Sequence, residues 1–280
     1  MAQETYSGRR LRLARVFADT MKMIDENAVL SEAVKSTQSR TKFYAAGPLD
    51  VPHSGGSRSM KVSVTANRSF QAARELVARN PGKRVAVLNF ASATNPGGGV
   101  VDGSSAQEES LCRCSTLYPA LDCKWLREKY YSFHWNRHGR LYTDACIYTP
   151  DVKIIKSDVD DPERLPQDEW VNVDVITCAA PNLRHMAADE IPSPSELKRL
   201  HLDRGRKIMN VALENGVDCL VLGAFGCGAF RNDPQVVAGA YADLMAEYGG
   251  AFDEIEYAVF YWGDEVANYK TFKNALDSGK

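Results

Sequence analysis

Short apolar runs alternate with amphipathic segments along most of this chain, and the alternation limits the possible folds more than any other feature. Apolar runs with the length of strands span residues 60–64, 84–90, 173–180, 218–223 and 254–262, with a short extended pair near 146–156. Helical patterns span residues 69–79, 105–117 and 195–215, with further helices after Pro234 and at the end of the chain. This order predicts an α/β fold with a mixed, largely parallel sheet that helices cover on both faces.

The first part of the chain has the pattern of a helical extension attached to this alternating core. Residues 8–37 show an approximate apolar helix face and predict one or two helices, and a polar, glycine-bearing connection follows to Gly56. We therefore divide the chain into an N-terminal helical extension or cap, residues 1–59, and a core domain, residues 60–280.

Four arginines lie close together in the extension: Arg9, Arg10, Arg12 and Arg15. A cluster of this kind is either a solvated helix face or a contact for an anionic polymer. The formal net charge of the whole chain is −2, so the chain as a whole shows no polyanion-binding character.

The composition is that of a globular chain with a full apolar core, since 44% of the 280 residues are hydrophobic and 25% are charged. No run of about eighteen apolar residues occurs, and the first residues lack the apolar stretch of a signal peptide, so we expect a cytosolic protein. The seven cysteines are scattered through apolar or helical contexts, which favours reduced thiols over a disulfide framework.

A glycine-rich loop follows the apolar run that ends at Phe90. Gly97, Gly98 and Gly99 give a backbone that can take positive φ and let a ligand approach closely. The loop leads to Gln107, Glu108 and Glu109, which we place on the first turn of a helix, with Ser105 and Glu108 matching a capping box.

A second glycine loop, Gly226-Cys227-Gly228-Ala229-Phe230, connects a strand to a helix that Asp233 can cap. Such a backbone either points N–H groups at phosphates or makes a tight turn. Phe230 favours the ligand interpretation, because a turn does not need a large aromatic residue. Cys227 is not favoured as a nucleophile, since no histidine lies near it in the sequence.

The spacing of a glycine triplet, seven further residues and Gln-Glu-Glu resembles the defining motif of the poly(ADP-ribose) glycohydrolases, in their compact bacterial type. The likeness continues at Leu117-Tyr118, at residues 148–150, at residues 177–182 and at residues 223–234. The resemblance implies a macrodomain-like three-layer fold and hydrolysis of the ribose–ribose bond in poly(ADP-ribose), without a metal or another cofactor. It also implies poly(ADP-ribose), ADP-ribose and ADP-ribosylated proteins as partners, with no direct binding of DNA or membranes.

The same resemblance implies roles for individual residues. Glu109 is the implied catalytic acid, Glu108 and Gln107 position the ribose, and Phe230 packs beside the diphosphate and the scissile ribose. Asn95 either binds the distal ribose or is a turn residue. Tyr261 and Trp262, at the end of the last predicted strand, either stack on adenine or pack in the core.

The adjacent positions of Glu108 and Glu109 limit the mechanism. Neighbouring helical residues point about 100° apart, so these two carboxyls cannot flank a sugar from opposite sides as in most glycosidases. One carboxyl would then make both proton transfers. A helix N-terminus favours the ionised carboxylate, whereas a general acid starts protonated, and bound phosphates together with expulsion of water would raise its pKa.

Two other functions remain open at this point: an ADP-ribose-binding macrodomain without catalysis, and a hydrolase of mono-ADP-ribose. The first needs no Gln-Glu-Glu motif, and a panel of substrates separates the second from polymer hydrolysis. A zinc site is not favoured, because the spacing of Cys112, Cys114, Cys123, His134 and His138 fits no standard pattern.

Relatives of the resembling type close the groove beyond the distal ribose with their N-terminal segment. If the extension of this chain does the same, we expect removal of terminal ADP-ribose units, mainly exo, over internal cuts.

Overall fold

A mixed sheet lies at the centre of the computed structural model, which describes residues 5–52, 59–137 and 139–277. Its strands are β1 Lys42–Tyr44, β2 Lys61–Thr65, β3 Val85–Phe90, β4 Cys146–Ile154, β5 Val171–Cys178, β6 Cys219–Leu222 and β7 Glu254–Ala258. In these ranges they form one seven-stranded sheet in the order β1-β4-β5-β3-β6-β7-β2. The five strands from β5 to β2 are parallel, and β4 runs antiparallel to both of its neighbours, β5 and β1. The predicted mixed, largely parallel sheet is confirmed.

Helices cover both faces of the sheet. They are α1 Tyr6–Glu26, α2 Ala28–Arg40, α3 Ser69–Arg79, α4 Gln107–Cys114, α5 Leu117–Leu121, α6 Lys124–Leu126, α7 Phe133–Asn136, α8 Pro194–Glu214, α9 Pro234–Glu247 and α10 Ala267–Asp277. Short 3₁₀ turns lie at Val100–Asp102 and Gln167–Glu169, and a π-helix spans Arg127–Ser132. None of the helices in the described ranges has the length and apolar character needed to cross a membrane.

Side chains of β3 alternate between the two cores, as the period of a strand requires. Ala86 and Leu88 pack with α8, α9 and α10. Val85 and Val87 pack on the other face with α3 and α4. The result is the three-layer α/β arrangement expected from the alternating pattern.

The N-terminal helices pack directly on the loops of the core. Phe17 of α1 contacts the ring of Tyr118 edge-on, at 4.9 Å between centroids. Gly103, at φ +75°, approaches α1 so closely that a Cβ there would lie 1.9 Å from the carbonyl oxygen of Arg10. Lys156 Nζ reaches the carboxylate of Asp19 at 2.9 Å. These contacts hold α1 beside the turn that follows the first glycine loop.

Several predicted boundaries need correction. The sequence pattern predicts a connection over residues 42–44, but these residues form β1 at the edge of the sheet. Residues 53–58 of the predicted connection lie outside the described residues. The extended pair at 146–156 is one strand, β4, and the last strand ends at Ala258, before Tyr261 and Trp262. Three residues are too short a run for a hydrophobic pattern to indicate a strand. The predicted cap is present, since Asp233 accepts from the N–H of Gln235 at 2.8 Å.

Candidate active site

A cavity of about 570 Å³ lies at the carboxyl ends of the parallel strands. Phe90 and Ala258, the last residues of β3 and β7, line it. Both glycine loops contribute to its wall through Gly98, Gln107, Glu108, Glu109, Gly226, Gly228, Ala229 and Phe230. Asn95, Gly97, Gly99, Cys227 and Tyr261 do not line it. The structure thus brings together the carboxyl pair and most of the second loop, the residues expected to act on the substrate.

Gln107 fixes the start of α4 to the end of β3. Its Oε1 accepts from the N–H of Phe90 at 2.9 Å, and its Nε2 donates to the carbonyl of Leu88 at 2.8 Å and to Ser69 Oγ at 3.0 Å. Both amide hydrogens are therefore used within the protein. Gln107 lines the cavity, but its amide acts mainly by holding the two glutamates in place.

Glu108 turns inward to pair with polar groups of the strand end. Its Oε1 accepts from Asn89 Nδ2 at 3.2 Å and its Oε2 from the N–H of Ser92 at 2.7 Å. The predicted capping box with Ser105 is wrong, because α4 begins after Ala106 without a side-chain cap. The inward turn satisfies two donors at the rim of the core, whereas Ser105 stays exposed.

Burial raises the pKa of Glu108 to about 8, and the negative charge of Glu109 adds to this effect, while the N–H of Ser92 opposes it. Two carboxylates so close together cannot both ionise without a large cost. Glu108 is therefore mainly protonated at neutral pH.

Glu109 lines the cavity and has one unpaired carboxyl oxygen. Its Oε1 accepts from the N–H of Gly99 at 2.9 Å, whereas Oε2 is buried and has no hydrogen-bond partner in the described ranges. A Cβ on Gly98, at φ +58°, would lie 2.5 Å from Glu109 Oε1. Glycine at position 98 therefore leaves room for both carboxyls against the loop.

Asn232 holds the second loop in shape. Its Nδ2 donates to the carbonyls of Pro181 at 2.7 Å and Gly226 at 3.0 Å, and its Oδ1 accepts from Nε2 of the buried His201 at 2.9 Å. Gly226 has φ +80°, and a Cβ there would lie 2.7 Å from both Ala180 Cβ and Asn232 Nδ2. Hydrogen bonds between described residues leave the N–H groups of residues 226 and 228–230 unused. The loop therefore offers free backbone donors to an anion.

Arginines and aromatic side chains form another part of the cavity wall. The guanidinium of Arg68 lies 4.0 Å from the ring centroid of Phe260. The guanidinium of Arg9, on α1, lies 5.4 Å from the ring centroid of Trp262. Trp262 lines the cavity, whereas Tyr261 packs against Tyr269 instead, at 5.4 Å between centroids. The extension therefore reaches the cavity through Arg9.

Comparison with known proteins identifies the family. The family described as the catalytic domain of microbial-type PARG, poly(ADP-ribose) glycohydrolase, matches residues 18–157. The chain belongs to the microbial-type poly(ADP-ribose) glycohydrolases. The glycohydrolase predicted from the motif is thus confirmed, as is its macrodomain-like fold. No curated protein matched the chain.

Solved structures of bacterial glycohydrolases superpose over nearly the whole chain. The enzyme from Thermomonospora curvata has 29% identity and a TM-score of 0.83, covering 94% of this chain and 99% of that one. The same enzyme was solved with the inhibitor ADP-HPD, at a TM-score of 0.81. The enzyme from Deinococcus radiodurans, in complex with ADP-ribose, has 34% identity and a TM-score of 0.75, covering 88% of this chain and 97% of that one.

Cys112, Cys114 and His134, considered above as zinc ligands, are buried side chains in this glycohydrolase. Burial raises the thiol pKa values of Cys112 and Cys114, and the ring nitrogens of His134 pair with Tyr130 and Thr143, each at 2.8 Å. His138 lies outside the described residues. No group of three or more His, Cys, Asp or Glu side chains in the described ranges is placed to hold a metal.

Cys227 is held as a thiol. Burial raises its pKa well above the usual range, and its Sγ lies 3.9 Å from the carbonyl oxygen of Phe225. A protonated thiol is a poor nucleophile, so the structure gives no support to a covalent cysteine mechanism.

Some residues of the site were missed by the sequence analysis, and only Asn89 among them carries a recognisable signal. Asn89 is a fully buried polar residue within an apolar strand, and this break in the pattern is a signal that points to a specific partner. Asn232 gives no such signal, because an asparagine between Arg231 and Asp233 looks like an ordinary turn residue. Arg9, Arg68 and Phe260 meet only because the fold brings distant segments to one rim.

The raised pKa of Glu108 predicts a characteristic pH dependence of stability. The native carboxyl titrates near pH 8 instead of 4.5, so between these values the folded state holds a proton that the unfolded state releases. The free energy of unfolding should therefore fall as pH rises through this window, by about 5 kcal/mol at most at ~1.4 kcal/mol per pH unit. Denaturant unfolding at several pH values from 5 to 9 measures it.

Glu108→Gln should flatten this dependence, because the amide does not titrate. Glu128→Gln, at an exposed position on the π-helix, is the matched control and should keep the slope of the wild type. An unchanged slope in Glu108→Gln would assign the titration to another group.

Proposed function

We propose that this glycohydrolase removes terminal ADP-ribose units from poly(ADP-ribose), and that Glu109 makes both proton transfers. The observation that carries this proposal is that Glu109 lines a cavity of suitable size, while its buried Oε2 has no hydrogen-bond partner in the described ranges. The ADP-ribose complex of the Deinococcus radiodurans enzyme supports ADP-ribose as the ligand of the cavity.

The second glycine loop is the proposed diphosphate site. Its free N–H groups suit phosphate oxygens, and Phe230 gives an apolar wall beside them. Asn232 keeps the loop in a fixed shape before the ligand arrives, which lowers the cost of ordering on binding. Backbone hydrogen bonds of Asn95, Gly97, Gly99 and Cys227 support the two loops, and Tyr261 packs against Tyr269 without lining the cavity.

The bond that breaks joins C1″ of the terminal ribose to the 2′-oxygen of the preceding unit. In its protonated form, Glu109 donates to the departing 2′-oxygen as the bond lengthens, leaving an oxocarbenium-like ribose and a Glu109 carboxylate. That carboxylate then takes a proton from water as its oxygen attacks C1″, which restores the acid. Glu108, neutral and fixed by Asn89 and Ser92, positions the ribose hydroxyls without adding a second negative charge.

The placement of α1 supports an exo mode. Arg9 lies at the cavity beside Trp262, and Arg10 Nε donates to the carbonyl of Asp102 at 3.0 Å. Arg12 pairs with Asp161 at 2.8 Å. The arginine cluster thus fastens the helix at the rim through two of its members and presents a third to the cavity. We propose that residues 1–59 act as a cap that admits only the end of a chain.

Product length tests the exo mode. The wild-type protein should release monomeric ADP-ribose from the first time points, while long chains shorten gradually, because a capped cavity admits only termini. Gel analysis of a time course on size-fractionated polymer gives the distribution. Early accumulation of oligomers of intermediate length would show that the groove is open and that the cap fails.

Chelation should leave the rate unchanged. The proposed reaction needs one carboxyl and water, and an acetal is acid-labile without a metal. Initial rates are compared before and after dialysis against EDTA, with a second sample carried through metal-free buffer alone. Activity that EDTA removes and that added Mg²⁺ or Zn²⁺ restores would contradict the proposal.

A further inference from the structure

Four exposed arginines border the Phe230 side of the cavity. Together with the exposed Phe133 and Trp135 they form what we call the outer arginine surface, whose arginines are Arg137, Arg140, Arg184 and Arg231. No ion pair between described residues involves these four side chains. Other surface arginines have such partners, for example Arg74 with Glu169 and Arg206 with Glu247.

A ring contact and two backbone hydrogen bonds join this surface to the cavity wall. The ring of Tyr142 lies 6.3 Å from that of Phe230, and the N–H of Leu183 donates to the carbonyl of Phe230 at 3.0 Å. The N–H of Asn182 donates to the carbonyl of Arg140 at 2.8 Å. Arg231 follows Phe230 directly, so the arginines begin where the proposed diphosphate site ends.

The backbone of the surface is strained. Four non-glycine residues in the described ranges have positive φ. Arg231, at +59°, belongs to this surface, while Tyr142, at +53°, and His185, at +63°, lie within two residues of its Arg140 and Arg184. Left-handed backbone in bulky residues costs free energy, and it is concentrated at functional sites because the surrounding structure has to maintain it. The strain therefore points to a function of this loop cluster.

Three carboxylates near these arginines in the sequence accept hydrogen bonds from backbone N–H groups, and none of the three forms an ion pair with the arginines in the described ranges. Asp144 accepts from the N–H of Gly47 at 3.0 Å, Glu190 accepts from that of Ala187 at 3.2 Å, and Asp233 caps α9. Trp135 is 61% exposed, and the guanidinium of Arg137 lies 5.4 Å from the ring centroid of Phe133, two residues before Trp135. Guanidinium groups and an open indole suit phosphates and purine bases.

We propose that the outer arginine surface binds the ADP-ribose units that continue past the cleaved bond. The inference rests on the proposed exo reaction, in which the terminal unit fills the cavity and the remaining chain has to leave it along the rim. Each of those units carries a diphosphate and an adenine, which match the arginines and Trp135. Tethering through the cavity raises the local concentration of these units, so weak contacts add affinity for long chains without changing the affinity for ADP-ribose.

The test uses Glu109→Gln as a non-cleaving background and measures the Kd values of long, size-fractionated poly(ADP-ribose) and of ADP-ribose. Adding Arg140→Glu with Arg184→Glu should weaken polymer binding about tenfold and reduce its salt dependence, with ADP-ribose binding unchanged. Trp135→Ala should weaken polymer binding about fivefold. Arg140→Lys with Arg184→Lys should keep most of the affinity for polymer. Lys35→Glu with Lys273→Glu changes the net charge by the same amount away from this surface, and this control should keep the affinity for polymer.

The outcomes separate this inference from the proposed function. Polymer and ADP-ribose affinities that fall together, or a polymer affinity that does not fall, would overturn the surface while leaving the cleavage mechanism intact. Single-stranded RNA of matched length that competes with polymer as well as unlabelled polymer does would assign the surface to nucleic acid instead. A wild-type protein that leaves polymer uncut would contradict the proposed function, whereas the binding measurement would still stand.

Discussion

Glu109→Gln is expected to lower kcat on poly(ADP-ribose) by about a thousandfold or more, while the Kd of ADP-ribose stays within about tenfold of the wild type. The substitution keeps the shape of the side chain, and its oxygen can still accept from the N–H of Gly99. It removes the transferable proton, and under the proposed mechanism no second carboxyl replaces it. Single-turnover rates of ADP-ribose release and calorimetric Kd values measure the two effects.

Two further variants serve as comparisons for Glu109→Gln. Glu108→Gln should also be damaging, but less so, because it disturbs the position of the ribose and not the proton transfer. Glu128→Gln, away from the cavity, should retain the wild-type rate. If Glu109→Gln kept more than about a tenth of the wild-type rate, Glu109 would lose its catalytic role. If the severities of the two active-site variants were reversed, Glu108 would take that role.

Gly98→Ala is expected to reduce kcat/KM about a hundredfold. The new Cβ would lie 2.5 Å from Glu109 Oε1 and 3.2 Å from Glu108 Oε2, at a φ of +58° that alanine adopts only with strain. The first loop or the carboxyl pair then has to move to relieve this contact. A displacement of about 1 Å at a catalytic group is enough to slow a reaction about a hundredfold. Steady-state kinetics and thermal unfolding of the same preparation separate misplacement from loss of folding.

Gly239→Ala is the matched control for this variant. Gly239 lies within α9 with nothing within 4 Å of its ideal Cβ, so alanine there should preserve activity and slightly raise stability. A Gly98→Ala protein with nearly normal kcat/KM would show that the carboxyls tolerate displacement and that the close packing of the loop is not needed for catalysis.

The sheet and its coverage could be predicted because they follow from local patterns. The run from Val85 to Phe90 is apolar and strand-sized, and the α8 region shows helical periodicity that ends at Gly216. The β1 strand could not be predicted, because three residues at a sheet edge owe their conformation to pairing with Cys146–Tyr148. Such pairing depends on the assembled fold and not on the local sequence.

In the site, too, the features that are local in sequence could be predicted, and those that depend on distant contacts could not. The glycine triplet and the carboxyl pair are local in sequence, so their common position at the rim followed from the strand before them. The orientation of Glu108 did not, because local capping rules favoured Ser105, while the buried donors on Asn89 and Ser92 decided the geometry. The contact of Arg9 with Trp262 joins the two ends of the chain, and no short-range pattern indicates it.

The most direct test of this account compares two substrates of the purified protein under the same conditions. One is protein carrying poly(ADP-ribose), and the other is the same protein carrying a single ADP-ribose on each site. Mass spectrometry identifies the released products and the modification that remains. The account predicts rapid release of ADP-ribose from the polymer, with the last, protein-linked unit left in place, because the ribose–ribose bond is the one that Glu109 cleaves. Release from the singly modified protein at a comparable rate, or no release from the polymer, would contradict it.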